Sequence, residues 1–263
     1  MDRSCKRWPQ IFPEPTLTAG WLHGRRGMTR AMRNVPPCDL SLVIASLNAA
    51  DRIGATLAAL TEMSAALSTQ IIVADGGSTD ATAAIAQAAG AKVLAGEKGR
   101  GRQLANGAKA AHGRWLLFLH ADTVLEPYWS ATVTAFMSVR SNLLRAGYFK
   151  LALDDPAHAA RRVEKFANWR ARSLGLPYGD QGLLVSRTLY DSLGGFSEMP
   201  LMEDVDMVRR IGKEKLVHLP ATATTSADRY KRDGYALRPL RNVSLLSLYF
   251  MGVPPRHLAK LYG

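Results

Sequence analysis

Ile71-Ile72-Val73-Ala74 runs into Asp75-Gly76-Gly77-Ser78-Thr79-Asp80 and then into an alanine-rich stretch through Ala89. Four consecutive apolar residues, with β-branched side chains leading, read as a short strand buried on both faces. The two glycines mark a turn, and Ser78 is expected to cap a helix over 79–89. A strand, a turn and a helix in that order form one unit of an α/β sheet. Asp75 is left over by this local account, because burying an acid at a strand end is costly unless something binds it.

The same rhythm extends to both sides. Upstream, Leu40 to Ala45 reads as a buried strand, and Ile53, Leu57, Leu60 and Met63 give Asp51 to Ser64 helical spacing. Downstream, 91–95 reads as a third strand, 102–112 as a third helix and Trp115 to Leu119 as a fourth strand. The alternation predicts an α/β fold with a mostly parallel central sheet flanked by helices. Right-handed crossovers then place the strand-end loops on one edge, where such sheets bind ligands. The second half is less regular: strands over 148–153 and 182–186, helices over 156–173, 188–193 and 203–212, a polar loop over 222–234 and an amphipathic stretch over 236–251.

With 263 residues, 47% hydrophobic and 21% charged, the chain can bury a sizeable core and is unlike disordered or collagen-like sequences. Its formal net charge of +12 favours anionic partners. No zinc-finger spacing, RNP-like aromatic motif or long basic helix directs that charge to nucleic acid, so none is expected as a partner. Residues 1–38 hold seven Lys/Arg, a Gly-Arg-Arg-Gly run and both cysteines. They read as a basic tail, disordered or upstream of a true start at Met28 or Met32, ahead of a single domain over 39–263. The two cysteines make neither a disulfide framework nor a metal pair, which fits a reducing cytoplasm. No apolar run reaches the roughly 18–20 residues of a membrane span, and no secretory h-region is visible.

Further polar clusters fall where strand-end loops are expected. Ser46-Leu47-Asn48, with Asp51 opening the next helix, serves either as an N-cap cluster or as a nucleotide-facing loop. Gly99-Arg100-Gly101-Arg102-Gln103, followed by Asn106, combines glycines that let backbone amides approach phosphate with forked guanidinium donors. His120-Ala121-Asp122-Thr123 places a carboxylate after the fourth strand, suited to Mg²⁺ or Mn²⁺ shared with a diphosphate. Glu203-Asp204-Val205-Asp206 complements the dipole of a helix start. It also offers a carboxylate to take a proton from an incoming hydroxyl.

As a set, Ser46-Leu47-Asn48, Asp75 to Asp80, His120-Ala121-Asp122 and Glu203 to Asp206 resemble the family 2 inverting glycosyltransferases. Gly99 to Gln103, Leu119 to Thr123, Pro177-Tyr178-Gly179-Asp180-Gln181-Gly182 and Pro200 to Asp204 are similar to one bacterial subgroup, named for radical-SAM-associated or arsenosugar-biosynthesis glycosyltransferases. The resemblance implies the GT-A, or nucleotide-diphospho-sugar transferase, fold. Residues 39–123 become its nucleotide-binding half and 124–263 its acceptor and catalytic half. It implies a nucleotide-diphosphate sugar as donor, UDP-linked at the family level, with Mn²⁺ or Mg²⁺. Asp75, Gly76, Asp51 and the loop Ser46 to Asn48 then fall at the nucleoside, and Gly101, Arg102 and Asn106 along the phosphates. Ala121 and Asp122 end the D-x-D motif at the metal, with His120 standing where many relatives carry an acid. Asp180 is placed at the sugar or acceptor, and Asp204 is the general base beside Glu203. Ser226 to Arg232 departs from the Gln-x-x-Arg-Trp of processive relatives, so single transfer is expected, with Arg229 or Arg232 reaching the diphosphate.

Two rivals differ in residues. A nucleotidyltransferase would carry a glycine-rich Lys/Arg signature near the first strand, where Ser46-Leu47-Asn48 stands. A catalytically degenerate nucleotide- or anion-binding protein would not need both Asp122 and Asp204. The acceptor, whether small molecule, lipid or glycan, and the oligomeric state are left open. Residues 236–251 are expected to pack on their own domain; the alternative is a peripheral seat on the inner membrane face, with a lipid acceptor.

Overall fold

The computed structural model describes residues 38–61 and 67–262. In chain order the elements are β1 (Cys38–Ser46), α1 (Ala50–Thr61), β2 (Thr69–Asp75), α2 (Thr82–Ala88), β3 (Lys92–Ala95), α3 (Arg100–Ala110), β4 (Gly113–His120) and β5 (Thr123–Leu125). They continue with α4 (Trp129–Ser138), β6 (Ala146–Leu153), α5 (His158–Leu174), β7 (Leu183–Ser186), α6 (Arg187–Ser192), α7 (Glu203–Ile211), β8 (Leu216–Thr225), α8 (Asp228–Asp233), α9 (Leu237–Phe250) and α10 (Pro255–Tyr262).

The strands form one mixed sheet in the order β3, β2, β1, β4, β7, β6, β8, β5. β1 to β4 are parallel, while β7 enters antiparallel to both β4 and β6, and β5 pairs antiparallel with β8. Successive β1 residues feed opposite faces. Leu40, Leu42 and Ile44 join Ile53, Leu57 and Leu60 of α1 and Trp129, Val133 and Phe136 of α4. Val43 joins Leu104, Ala105 and Ala108 of α3 and Val205, Val208 and Ile211 of α7. Burial on both faces accounts for the unbroken apolar runs in the sequence.

Several expectations are corrected. The tail ends one residue earlier than expected: Cys38 opens β1, buried, with its thiol 3.3 Å from the Leu40 carbonyl oxygen and 3.5 Å from that of Ser68. The rest of the proposed tail lies outside the described residues, as does the expected stretch of α1 beyond Thr61. Ser78 is not a helix cap; α2 begins at Thr82, and Ser78 is drawn into the turn by Asp75 and Asn48. The supposed loop over 222–234 is the end of β8 followed by α8. β5, α4 and α10 had no counterpart in the sequence reading.

Candidate active site

The carboxyl ends of β1, β2 and β4 are level, since Ser46 lies opposite Asp75 and Ala45 opposite His120. Asp75 sits at the centre of this edge and is buried. Its Oδ1 accepts the hydroxyls of Ser46, at 3.0 Å, and Ser78, at 2.5 Å. Its Oδ2 accepts the backbone N–H groups of Gly77, at 3.1 Å, and Ser78, at 2.8 Å. The chain itself therefore supplies what the sequence reading asked of a ligand, filling the roughly four acceptor positions of a carboxylate. Asn48, in a left-handed conformation with φ of 47°, locks the neighbouring loops together by accepting the Thr79 N–H at 2.9 Å. From α3, the Gln103 amide donates to the carbonyls of Ser46 and Ala74 at 2.7 and 2.8 Å.

Over this edge lies a groove of about 750 Å³, within the roughly 300–1,000 Å³ of small-molecule sites. Ser46, Asn48, Lys98, Arg100, Ala121, Asp122 and Arg232 line it. It runs into an inner recess lined by Tyr178, Gly179, Asp180 and Asp204. Arg100, His120, Asp122, Arg229 and Arg238 line both parts.

The acids are drawn in from separate elements. β5 pairs with β8, which brings the Thr225 hydroxyl to 3.4 Å from Asp122 Oδ1. Asp204 stands in the first turn of α7, and its Oδ2 accepts the Gly179 N–H at 2.8 Å. Asp180 sits in the 3-10 turn over Gly179–Gln181, with a buried Oδ1 that has no hydrogen-bond partner. Burial pushes the Asp180 carboxyl up to about 6; Arg170 and Arg100 oppose the shift, while Asp204 and Asp122 add to it. Burial first, then Arg100 and Arg229, hold His120 well below its ordinary value, so its imidazole is neutral.

The remaining expected residues are placed elsewhere. Glu203 is 1% exposed and faces inward, 3.5 Å from Arg100, while its neighbour Asp204 faces the recess. Burial and the nearby Asp204 push Glu203 up to about 7 against the pull of Arg100. Asp206 is a structural tie, held by the Ser197 hydroxyl at 2.8 Å and by Arg210. Asp51 is exposed at the start of α1 and does not line the groove. Gly76 continues the sheet edge, donating to the Ser46 carbonyl at 2.9 Å. Along the basic loop, Arg102 pairs with Glu97 and Glu198, Asn106 is exposed, and Gly101 is packed under the 197–199 backbone, where an added Cβ would lie 2.3 Å from the Ser197 oxygen. Lys98 and Arg100 face the groove instead. Tyr178, Arg238 and Arg241 were not anticipated as lining residues; the dense arginine spacing from Arg229 to Arg241 was the available signal.

Mg²⁺ and Mn²⁺ take few protein carboxylates and complete their shells with phosphate and water. Among the described residues no group of three His, Cys, Asp or Glu is arranged to hold a metal alone. Asp122, the unpartnered oxygen of Asp180 and the neutral His120 share one recess. That donor set fits a cation shared with a diphosphate, not one caged by protein.

A parallel half-sheet with its binding edge under a basic groove, extended by a mixed half that brings in the second acid, is the GT-A glycosyltransferase architecture. Residues 41–170 match the family model of Glycosyl transferase family 2, and the chain carries that domain. Among solved structures, glucosyl-3-phosphoglycerate synthase from Mycobacterium tuberculosis, in complex with Mn²⁺, uridine diphosphate and glucosyl-3-phosphoglycerate, is similar at TM-score 0.58 and 19% identity, over 88% of this chain and 87% of that one. The mannosyltransferase PcManGT from Pyrobaculum calidifontis, in complex with GDP-Man and Mn²⁺, has TM-score 0.59 and 15% identity, over 84% of this chain and 66% of that one. S. aureus TarS has TM-score 0.55 and 14% identity over 84% of this chain, which spans only 41% of the TarS chain. No curated protein matches the sequence.

Proposed function

We propose that this chain is an inverting, non-processive glycosyltransferase that moves a sugar from a nucleotide-diphosphate sugar to a hydroxyl acceptor. The observation that carries the reading is the shared recess of Asp122, in the turn between β4 and β5, and Asp204, in the first turn of α7, bordered by Arg100 and Arg229. Two of the similar structures contain Mn²⁺ with a uridine or guanosine nucleotide, which supports the same donor class here. The subgroup reading rests on the motifs around Gly99, Tyr178 and Pro200 and adds no substrate.

The nucleoside end lies along Ser46 to Asn48, with Asp75 bracing that loop from beneath. The diphosphate is met by Arg100, Lys98 and the arginines of α8 and α9. A divalent cation, held by Asp122 with Asp180 or His120, would neutralise the diphosphate when bound. Asp204, oriented by the Gly179 N–H, accepts the proton of the acceptor hydroxyl as that oxygen attacks the anomeric carbon. The carbon–oxygen bond to the diphosphate breaks on the opposite face, so the anomeric configuration inverts. The arginines stabilise charge that grows on the leaving diphosphate.

Calorimetric titration with UDP and GDP, with and without Mn²⁺, tests the donor half, and donor-sugar hydrolysis tests turnover. Metal-dependent nucleotide binding is expected. Binding of neither nucleotide under any condition would remove the proposal.

A further inference from the structure

Between Gly234 and Gly263 the sequence holds Arg238, Arg241, Arg256 and Lys260 and not one Asp or Glu. This segment forms α9 and α10, which pack on each other and bury Leu258. One side of α9, with Arg238, Asn242 and Leu245, lines the recess. The other side follows the helical repeat through Leu237, Leu240, Ser244, Ser247 and Met251, all exposed. Leu237 is 69% exposed, Leu240 63%, Met251 71% and, on α10, Leu261 61%. Scattered single apolar residues on a surface are ordinary. Four large ones on α9, its C-cap and the α10 helix packed against it, in a segment with exposed Arg256 and Lys260 and no acid, are not.

We propose that this α9–α10 corner docks the chain on a bilayer rich in anionic phospholipid. Leu237, Leu240, Met251 and Leu261 enter the acyl boundary, and Arg256 and Lys260 meet headgroup phosphates. Charge decides between occupants. Residues 1–37 are themselves strongly basic, so like charge opposes their covering this face. A two-fold contact between two copies would set the same cationic patch against itself. An anionic bilayer offers both the negative charge and the apolar depth. Docked this way, α9 has the headgroups on one side and the recess on the other, and the acceptor is delivered at the membrane surface. No helix among the described residues is long and apolar enough to span a membrane, so the contact is peripheral.

Vesicle binding reads this surface without turnover, separately from the donor reading. The full chain is sedimented with phosphatidylcholine vesicles and with vesicles containing phosphatidylglycerol. Salt-sensitive binding to the anionic vesicles alone is expected. Combined Leu237→Ser, Leu240→Ser and Met251→Ser substitution should weaken it at least about tenfold, since each buried side chain is lost from the apolar phase. Arg256→Gln with Lys260→Gln should weaken it as well, and Arg25→Gln with Arg26→Gln in the tail should leave it unchanged. No binding, or serine and glutamine variants that bind as the wild type does, would overturn the proposal. So would equal retention on soluble polyglutamate, or a dimer in light scattering that the serine changes dissolve.

Discussion

The backbone N–H of Gly179 donates to Asp204 Oδ2 at 2.8 Å, which joins the start of α7 to the turn that carries Asp180. The position is tight, because a Cβ at position 179 would lie 2.5 Å from His120 Nε2, while Asp204 Oδ2, at 3.5 Å, would be in ordinary contact. Gly179→Ala is therefore expected to displace the His120 imidazole within the recess without opening the core. Displacements of about 1 Å at a reacting centre can cost about 100-fold. A loss of that order in kcat/KM for donor turnover is expected, with a melting temperature close to that of the wild type.

Asp204→Asn isolates the proton transfer. The amide oxygen can still accept from Gly179, so the turn keeps its anchor, but the side chain no longer takes a proton. Losing a general base typically costs about 10²–10⁴ in rate. Turnover should fall within that range while calorimetry finds nucleotide affinity unchanged. A fall in affinity instead would place Asp204 at the donor.

Glu203 and Arg100 give a pH signature. Burial raises Glu203 from its ordinary 4.5 to about 7, so between those values the folded state holds a proton that the unfolded chain has released. Stability is thus greatest below the unfolded value and declines as pH rises toward 7. Glu203→Gln should remove this decline, seen as a melting temperature that changes less than the wild type's between acid and neutral pH. Arg100→Gln should steepen it, because the ionised acid then stays buried without its counter-charge. The double variant should recover most of the loss.

The first half of the sheet was legible because its strands are buried on both faces and carry unbroken apolar runs, as Leu42-Val43-Ile44 shows. β8 was missed for the opposite reason. Its buried positions Leu219, Ala221, Ala223 and Thr225 alternate with less buried ones, and small or hydroxylic residues around Pro220 look like a loop. The basic loop shows how one error of phase misplaces side chains. The sequence reading started α3 at 102, two residues late, and singled out Arg102. In the fold, Arg100 and Gln103 are one turn apart on the same side, facing the binding edge, while Arg102 points to Glu97 and Glu198. The acids at 122 and 204 were singled out from residue type and position, and both line the recess. That Glu203 turns inward could not be, since adjacent residues of a helix start differ only by rotation.

Asp75 offers the sharpest separation of scaffold from ligand contact. Each carboxylate oxygen meets two donors from this chain. In Asp75→Asn the amide oxygen can keep the Gly77 and Ser78 N–H groups, and the NH₂ then faces the Ser46 and Ser78 hydroxyls, which must turn from donors to acceptors. With bonds to a charged carboxylate exchanged for weaker neutral ones and the hydroxyls forced to reorient, destabilisation of about 1–3 kcal/mol is expected from the denaturant midpoint. Ser46→Ala removes one of these donors and should cost about 1 kcal/mol. Because Asp75 braces the loops that carry Asn48 and Ser78, nucleotide affinity should fall in step with stability in both variants. An Asp75→Asn protein of wild-type stability that no longer binds nucleotide would show instead that the carboxylate leaves its internal partners for the base.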